Sequence, residues 1–190
     1  QRSEFACPRC TIEERKKTGR LEATSSTPMA EDLQRTKLSE FVETHVRNKM
    51  GEHLKKLAEE KALKDGIDIE EAKASVTMGG AITIRQVTSM DRKLDVRERM
   101  KNRYAHKKYP EEFSFRCKCL LVFQEIDGVD VVLFALYLYE HGEDNPLPNQ
   151  RTVYISYLDN VHYMRPRKMR TFVYHEILIS YLDYARQRGF

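Results

Sequence analysis

Residues 149–190 constrain the fold most, because they contain a strand, a basic turn and an amphipathic helix in direct succession. Residues 152–158 (TVYISYL) are rich in β-branched and aromatic residues, which is typical of a strand. Four cations follow in a six-residue turn: Arg165, Arg167, Lys168 and Arg170. The helix after them repeats apolar residues every three to four positions, which predicts one buried face. The residues of that face are Val173, Tyr174, Ile177, Leu178, Tyr181, Leu182 and Ala185.

A helix that opens on a basic turn suits a phosphorylated ligand. The first N–H groups of a helix have no partner within the helix, and its dipole places positive charge at the same end. The pattern also fits an ordinary strand–helix unit whose basic turn is only solvated. The residue types alone leave both interpretations open.

The remaining pattern predicts an α/β domain with a mixed central sheet and flanking helices. A long amphipathic helix is expected between an N-cap at Thr36 and a stop at Gly66. A short helical piece over 68–75, a strand over 81–87 and a helix or loop over 97–109 follow. Residues 113–126 and 129–139 predict a long hairpin around the turn at Asp127 and Gly128. Residues 131–136 are apolar on both faces, which indicates a central strand.

Composition narrows the class of partner. The net charge of +4 and the sequence pI of 8.8 are mild, below those of a dedicated nucleic-acid binder. The aromatic residues alternate into a core rather than between the cations, so a basic RNA- or DNA-binding fold is the weakest hypothesis. No apolar run approaches the roughly 20 residues of a membrane span, and no membrane partner is expected. Because the first residue is Gln1, we expect a piece of a longer protein.

The four cysteines form two close pairs. Cys7 and Cys10 make one CxxC motif, which supplies only half of the four ligands that a structural zinc site needs. By themselves they are either half of a larger site or an incidental pair. Cys117 and Cys119 alternate on a predicted strand, so they face the same side. Without a neighbouring metal ligand they are interpreted as small core residues rather than nucleophiles.

Two segments carry a family resemblance. Residues 149–190 (NQRTVYISYLDNVHYMRPRKMRTFVYHEILISYLDYARQRGF) and the preceding FSFRCKCLLVFQEIDGVDVVLFALYLYEHGEDNPLPNQR resemble the CREB-binding-protein family of histone acetyltransferases, with the plant-like branch the best fit. The resemblance runs from about residue 113 to 190 and, more loosely, back to about residue 81. It implies the acetyltransferase fold and acetyl-CoA as the cofactor.

The resemblance assigns binding residues by position. It implies cofactor-binding roles for five residues: Leu158, Asp159, Asn160, Arg170 and Thr171. It places Ser156 and Tyr157 at the groove for the substrate lysine. The family usually has serine where this chain has Asn160, so a hydrogen bond from this side chain to the cofactor would have a different reach from that of serine. An arginine at the helix start fits the chemistry, because a guanidinium binds phosphate with two parallel hydrogen bonds.

The same resemblance implies the wider organisation. Residues 1–12 resemble the end of a PHD-type zinc finger, so Cys7 and Cys10 would bind zinc only together with upstream ligands. Residues 13–36 are expected to be a polar linker, and residues 37–190 the N-terminal part of the acetyltransferase domain. The family's general acid is a tyrosine, accompanied by a tryptophan, in a stretch after the position of Phe190. This chain has no tryptophan, so no catalytic residue is assigned, and these residues alone are expected to be inactive.

As a whole, the resemblance implies a nuclear transcriptional coactivator. Its partners would be histone tails, other lysine-containing proteins and transcription factors, without direct sequence-specific binding of nucleic acid. The competing hypothesis is a non-catalytic chromatin-binding or scaffold module that uses the PHD remnant and the long helix.

Overall fold

The computed structural model describes residues 29–190, which form one four-stranded sheet with helices against it. The helices are α1 (Lys37–Asp65), α2 (Ile69–Ser75), α3 (Glu98–Arg103) and α4 (Arg170–Gln187). The strands are β1 (Ile82–Asp95), β2 (Glu112–Ile126), β3 (Val129–His141) and β4 (Thr152–Asn160), and short 3₁₀ turns lie at Ala30–Asp32, Ala105–Lys107 and Arg167–Met169. The strand order is β1-β2-β3-β4, and each neighbouring pair is antiparallel. The predicted α/β class with a central sheet and flanking helices is confirmed.

Local sequence signals set the ends of α1 as predicted. The Thr36 side chain accepts a hydrogen bond from the Ser39 amide at 3.2 Å, and the Ser39 hydroxyl accepts one from the Thr36 amide at 2.9 Å. This reciprocal cap satisfies two donors that the first turn leaves unpaired. Gly66 ends the helix with a φ of 66°, a left-handed conformation that glycine adopts without a steric penalty.

The predicted hairpin is also present. Asp127 and Gly128 have φ values of 54° and 76°, as a two-residue turn between twisted strands requires. β3 lies between β2 and β4, which confirms its central place. β1 is much longer than the predicted strand, because its second half continues to pair with β2 as far as Asp95 opposite Glu112.

The core lies between one face of the sheet and the helices α1 and α4. Its fully buried strand residues include Ile84, Leu120, Val122, Leu136 and Leu138. The predicted buried face of α4 is largely correct, but Leu182 is 49% exposed, whereas Ser180 is fully buried and donates its hydroxyl to the Ile177 carbonyl at 3.0 Å. A local backbone bond makes a small polar side chain acceptable inside the core.

A buried ion pair joins α1 to the free edge of β1. The Arg85 side chain is 1% exposed and its Nη1 lies 2.6 Å from the Glu43 carboxylate, which also accepts the Ile84 amide at 2.7 Å. One helical turn further along α1, Arg47 donates to the Ile82 carbonyl at 3.0 Å. α1 thereby satisfies backbone groups that an edge strand would otherwise leave unpaired.

The first prediction concerns this pair. Glu43→Gln should lower the free energy of unfolding by about 3 kcal/mol, because it leaves the buried Arg85 guanidinium without a countercharge. Glu52→Gln on the same helix removes only an exposed pair with Lys49 and should change stability by less than about 0.5 kcal/mol. Urea unfolding of the two variants checks both values. Equal stability of both variants would show that the Glu43–Arg85 ion pair does not stabilise the contact between α1 and β1.

Candidate functional site

The predicted cofactor residues lie at the end of β4 and at the start of α4. β4 continues to Asn160, which lies opposite Phe134 of β3, so Leu158, Asp159 and Asn160 belong to the strand rather than to the loop after it. α4 starts at Arg170 and runs back along the sheet, since Tyr174 contacts the Leu133 carbonyl and Tyr181 contacts Glu140 near the other end. The start of α4 and the end of β4 are therefore neighbours.

A buried amide holds the loop between these two elements. Gln124 on β2 is fully buried, donates Nε2 to the Arg165 carbonyl at 2.6 Å, and accepts the Arg165 amide at 2.9 Å. The Gly79 amide donates to the same carbonyl at 3.0 Å. Because the loop backbone is bonded on both sides, the start of α4 has a defined position relative to the sheet.

Apolar and aromatic anchors complete that attachment. Met164, directly before the basic turn, and Met169, within it, are buried in the core. The Tyr174 hydroxyl lies 3.0 Å from the carbonyls of both Leu133 and Val161, and so ties the first turn of α4 to β3 and to the end of β4. Burial raises the pKa of Tyr174, so this hydroxyl is a poor proton donor and acts as a structural link.

The start of α4 carries positive charge without compensation. Arg170 is half-buried and Thr171, Arg167 and Lys168 are exposed. Within residues 29–190 no carboxylate lies within 4.0 Å of these three cations, whereas Arg165 pairs with Asp127 at 2.8 Å. The Met169 amide already donates to the Pro166 carbonyl at 3.0 Å, and the Arg170 amide donates to Arg167. Side chains rather than these amides are therefore the available anion donors.

The predicted substrate residues lie on β4, three and four positions before its last residue, Asn160. Tyr157 stands opposite Tyr137 and Ile155 stands opposite Leu138, so Ser156 is the extra residue of a β-bulge. A bulge re-aims the side chains around it and is frequent beside functional sites. Tyr157 is 68% exposed and packs edge-on against Tyr137, with ring centroids 6.2 Å apart.

The internal cysteines are consistent with a packing role. Cys119 is 1% exposed, and burial raises the pKa of its thiol, which disfavours the reactive thiolate. Cys117 is half-buried. Cys7 and Cys10 lie outside the described residues. In the part of the chain that the structure describes, no three His, Cys, Asp or Glu side chains gather as a metal site would require, and no helix is long and apolar enough to cross a membrane.

Sequence reasoning missed the residues that position this site. Gln124 lies in a β-strand pattern, where its polar side chain gave the only signal of a buried contact. Tyr174 was predicted as a core residue, but its hydrogen bonds to two strands could not be predicted from helical spacing. The two methionines carry no periodic signal at all.

The fold and the site define a class: an α/β domain with an exposed cationic helix start beside the end of an edge strand, which suits a phosphorylated ligand. The family follows from comparison with known proteins. Residues 68–190 match the model of the histone acetyltransferase domain KAT3, and the chain belongs to that family.

Named relatives agree with this assignment. The chain is 41% identical to the rice protein "Probable histone acetyltransferase HAC-like 1" and 40% identical to "Histone acetyltransferase HAC1" of Arabidopsis thaliana, in each case over 99% of its length. It is 44% identical to "Protein cbp-1" of Caenorhabditis elegans over 57% of its length. The chain spans 11% of the length of each of the two plant proteins and 6% of the nematode protein.

The second prediction tests the Tyr174 link. Tyr174→Phe should lower the free energy of unfolding by about 1–2 kcal/mol at neutral pH, because it removes the buried hydroxyl that bonds the carbonyls of Leu133 and Val161. The exposed Tyr154, changed to Phe, is the matched control and should alter stability by less than about 0.5 kcal/mol.

The Tyr174→Phe variant should also change how the free energy of unfolding depends on pH in the alkaline range. The folded-state pKa of Tyr174 is raised, so above a pH of about 10 the unfolded chain releases its proton first and stability falls as the pH rises. Urea unfolding of the wild type and the Phe variant from pH 9 upward should show a smaller loss in the variant. An equal or larger loss would contradict the link.

Proposed function

We propose that this chain forms part of a histone lysine acetyltransferase, in which it binds acetyl-CoA and one side of the substrate lysine. The family membership supports the reaction class. The observation that carries the site is the uncompensated charge of Arg170 at the start of α4, next to the exposed end of β4. Leu158, Asp159, Asn160 and Thr171 complete the proposed cofactor surface.

The residues present fit such a ligand. Arg170 offers a planar donor pair for a phosphate, and the Thr171 hydroxyl is exposed beside it. On β4 the backbone amide of Asn160 donates to the Asp159 carboxylate at 2.8 Å. The Asn160 side chain is exposed and able to donate its amide hydrogens.

The substrate side is proposed at the bulge of β4. Ser156 and Tyr157 follow each other there, and the exposed phenol of Tyr157 offers an apolar ring with a polar tip. A lysine side chain has the same character, with an apolar stem and a charged end. We infer that the ring packs against the stem while the bulge sets its angle.

Acetyl-CoA supplies an acetyl group activated as a thioester. The transfer needs the lysine amine deprotonated and in place, and a proton for the departing thiolate. In the described residues the buried tyrosines do not suit that donation: burial raises the pKa of Tyr174, and burial together with Glu140 raises the pKa of Tyr181. We propose that residues 1–190 bind and orient, and that the family's general acid lies outside them.

The third prediction tests the phosphate contact. In the intact acetyltransferase domain, Arg170→Glu should weaken coenzyme A binding by about 2–4 kcal/mol, because a charge-assisted contact is lost and repulsion is added. Arg186 near the other end of α4 is exposed and pairs with Asp183 at 2.7 Å. Arg186→Glu is therefore the control, with less than a twofold effect on the dissociation constant. Calorimetry showing an unchanged constant for a folded Arg170→Glu protein would refute the assignment.

The fourth prediction concerns turnover. In a radiolabel transfer assay with histone H3 and H4 peptides, residues 1–190 alone should give background labelling, and the intact domain should label the peptides strongly. Loss of acid–base catalysis alone lowers a rate about 10²–10⁴-fold, and loss of positioning lowers it further. Enzyme-dependent turnover by residues 1–190 would show that they contain the acid, and Tyr157 would be examined first.

The fifth prediction concerns zinc. We propose that Cys7 and Cys10 are two ligands of a PHD-type site that the whole protein completes, in a nuclear transcriptional coactivator with residues 13–36 as the linker. Metal analysis should find weak zinc binding or none in residues 1–190, and one tight zinc once the upstream ligands are included, because two thiolates fill half of a tetrahedral site. One tight zinc in residues 1–190 would contradict this.

The alternative, a non-catalytic chromatin-binding or scaffold module, gives a different pattern. Such a module would retain the fold and bind partners, but neither coenzyme A binding nor labelling by the intact domain would be observed.

A further inference from the structure

The far end of the β1–β2 pair contains an apolar groove, which we name the hairpin groove. It encloses about 760 Å³, and its apolar lining includes Leu94, Met100, Tyr104, Tyr109, Phe113 and Pro148. Leu94 is 60% exposed, Met100 48% and Tyr109 38%. A volume of this size accommodates a few apolar side chains of a ligand. Apolar side chains gathered around one concave surface indicate a binding site more strongly than the same residues scattered singly.

Internal contacts define the shape of the segment that forms the groove. Leu94 pairs with Phe113 across the two strands, and the Val96 amide donates to the Glu111 carbonyl at 2.7 Å. The rings of Tyr104 and Tyr109 lie 6.1 Å apart at the other side of the connection. α3 and the 3₁₀ turn Ala105–Lys107 fill most of the connection. A preformed groove spares a partner much of the free-energy cost of ordering the surface.

The rim of the hairpin groove is basic. Residues 92–108 contain eight lysines and arginines but only two carboxylates, while the whole chain has a net charge of +4. Arg97, Lys101 and Lys108 line the groove itself, together with the acids Asp95 and Glu111. Lys101 lies 3.7 Å from the exposed Glu111 carboxylate. Within residues 29–190, no carboxylate lies within 4.0 Å of Arg97 or Lys108, so their charge is available to a partner.

The apolar lining and the basic rim of the hairpin groove together favour one kind of ligand. A basic peptide such as a lysine-rich substrate segment would meet like charge at the rim. A nucleic acid would use the cations but would leave the apolar floor of Leu94 and Met100 unfilled. An acidic peptide with apolar anchors matches both, and methionine side chains adapt readily to such anchors.

We propose that the hairpin groove docks an acidic segment of a partner protein. The apolar side chains of the segment would contact Leu94, Met100 and Tyr109, while its carboxylates would pair with Arg97 and Lys108. The groove lies at the opposite end of the sheet from Asn160 and Arg170, since β1 ends and β2 begins there. A partner would therefore be held without covering the end where β4 and α4 meet. This inference does not depend on the proposed acetyl transfer.

Fluorescence anisotropy on the 190-residue chain tests the docking with four labelled probes. These are a 15-residue peptide of glutamate, aspartate, leucine and phenylalanine, the same peptide with alanine at the apolar positions, its lysine counterpart with the apolar residues kept, and a single-stranded oligonucleotide. The first peptide should bind at least tenfold more tightly than each of the other three. Its affinity should fall as sodium chloride rises, because salt screens the rim charges.

Two variants and their matched controls assign the binding to the groove. Met100→Ser removes an apolar contact, and Arg97→Glu reverses a rim charge while placing a carboxylate favourably at the start of α3. Each of these two variants should bind the acidic peptide at least tenfold more weakly than the unchanged chain does. Ile179→Ser and Lys56→Glu change exposed residues elsewhere and should have less than a twofold effect.

Circular dichroism checks that all four variants remain folded. Three other outcomes would each overturn the proposal. Equal binding of the acidic peptide and its alanine version would show that charge alone attracts it, and preference for the oligonucleotide would assign the surface to nucleic acid. Unchanged binding by Met100→Ser and Arg97→Glu would place the peptide elsewhere.

Discussion

The contact between Glu43 and Arg85 holds the described structure together, because it joins the long helix to the edge of the sheet at a point closed to water. The carboxylate has two partners on β1, the Arg85 guanidinium and the Ile84 amide, at 2.6 and 2.7 Å. A buried charge is tolerated only where such partners replace its lost hydration. With α1 fixed in this way, its other side is available to α4, where His45 lies 2.8 Å from Glu176.

The proposed site depends on that arrangement through α4. α1 supports one side of α4, and the strands hold its start through Tyr174 and through the loop that Gln124 bonds. Arg170 is thereby presented at a fixed place without a countercharge among the described residues. A preorganised cation binds a phosphate more favourably than one that must first be ordered. Buried side chains therefore fix the positions of both the end of β4 and the start of α4.

Short-range signals made much of this fold predictable. The cap at Thr36, the stop at Gly66 and the turn at Asp127 each depend on a few neighbouring residues, and all three are confirmed. What escaped prediction depends on distant contacts. A strand pattern does not show that Arg85 is buried against a helix 42 residues away. For the site, the helix start at Arg170 was predicted correctly, but β4 is two residues longer than expected because β3 continues to pair with it.

Hydrogen exchange of the intact domain, measured by mass spectrometry with and without saturating coenzyme A, tests whether the ligand binds where β4 ends and α4 begins. Amides bound or covered by a ligand exchange more slowly, as does a segment whose local opening the ligand suppresses. We expect slower exchange in residues 158–161 and 167–174, and unchanged exchange in residues 94–113 at the other end of the sheet. Unchanged exchange in the first two segments at saturation, or protection confined to residues 94–113, would show that coenzyme A does not bind at the end of β4 and the start of α4.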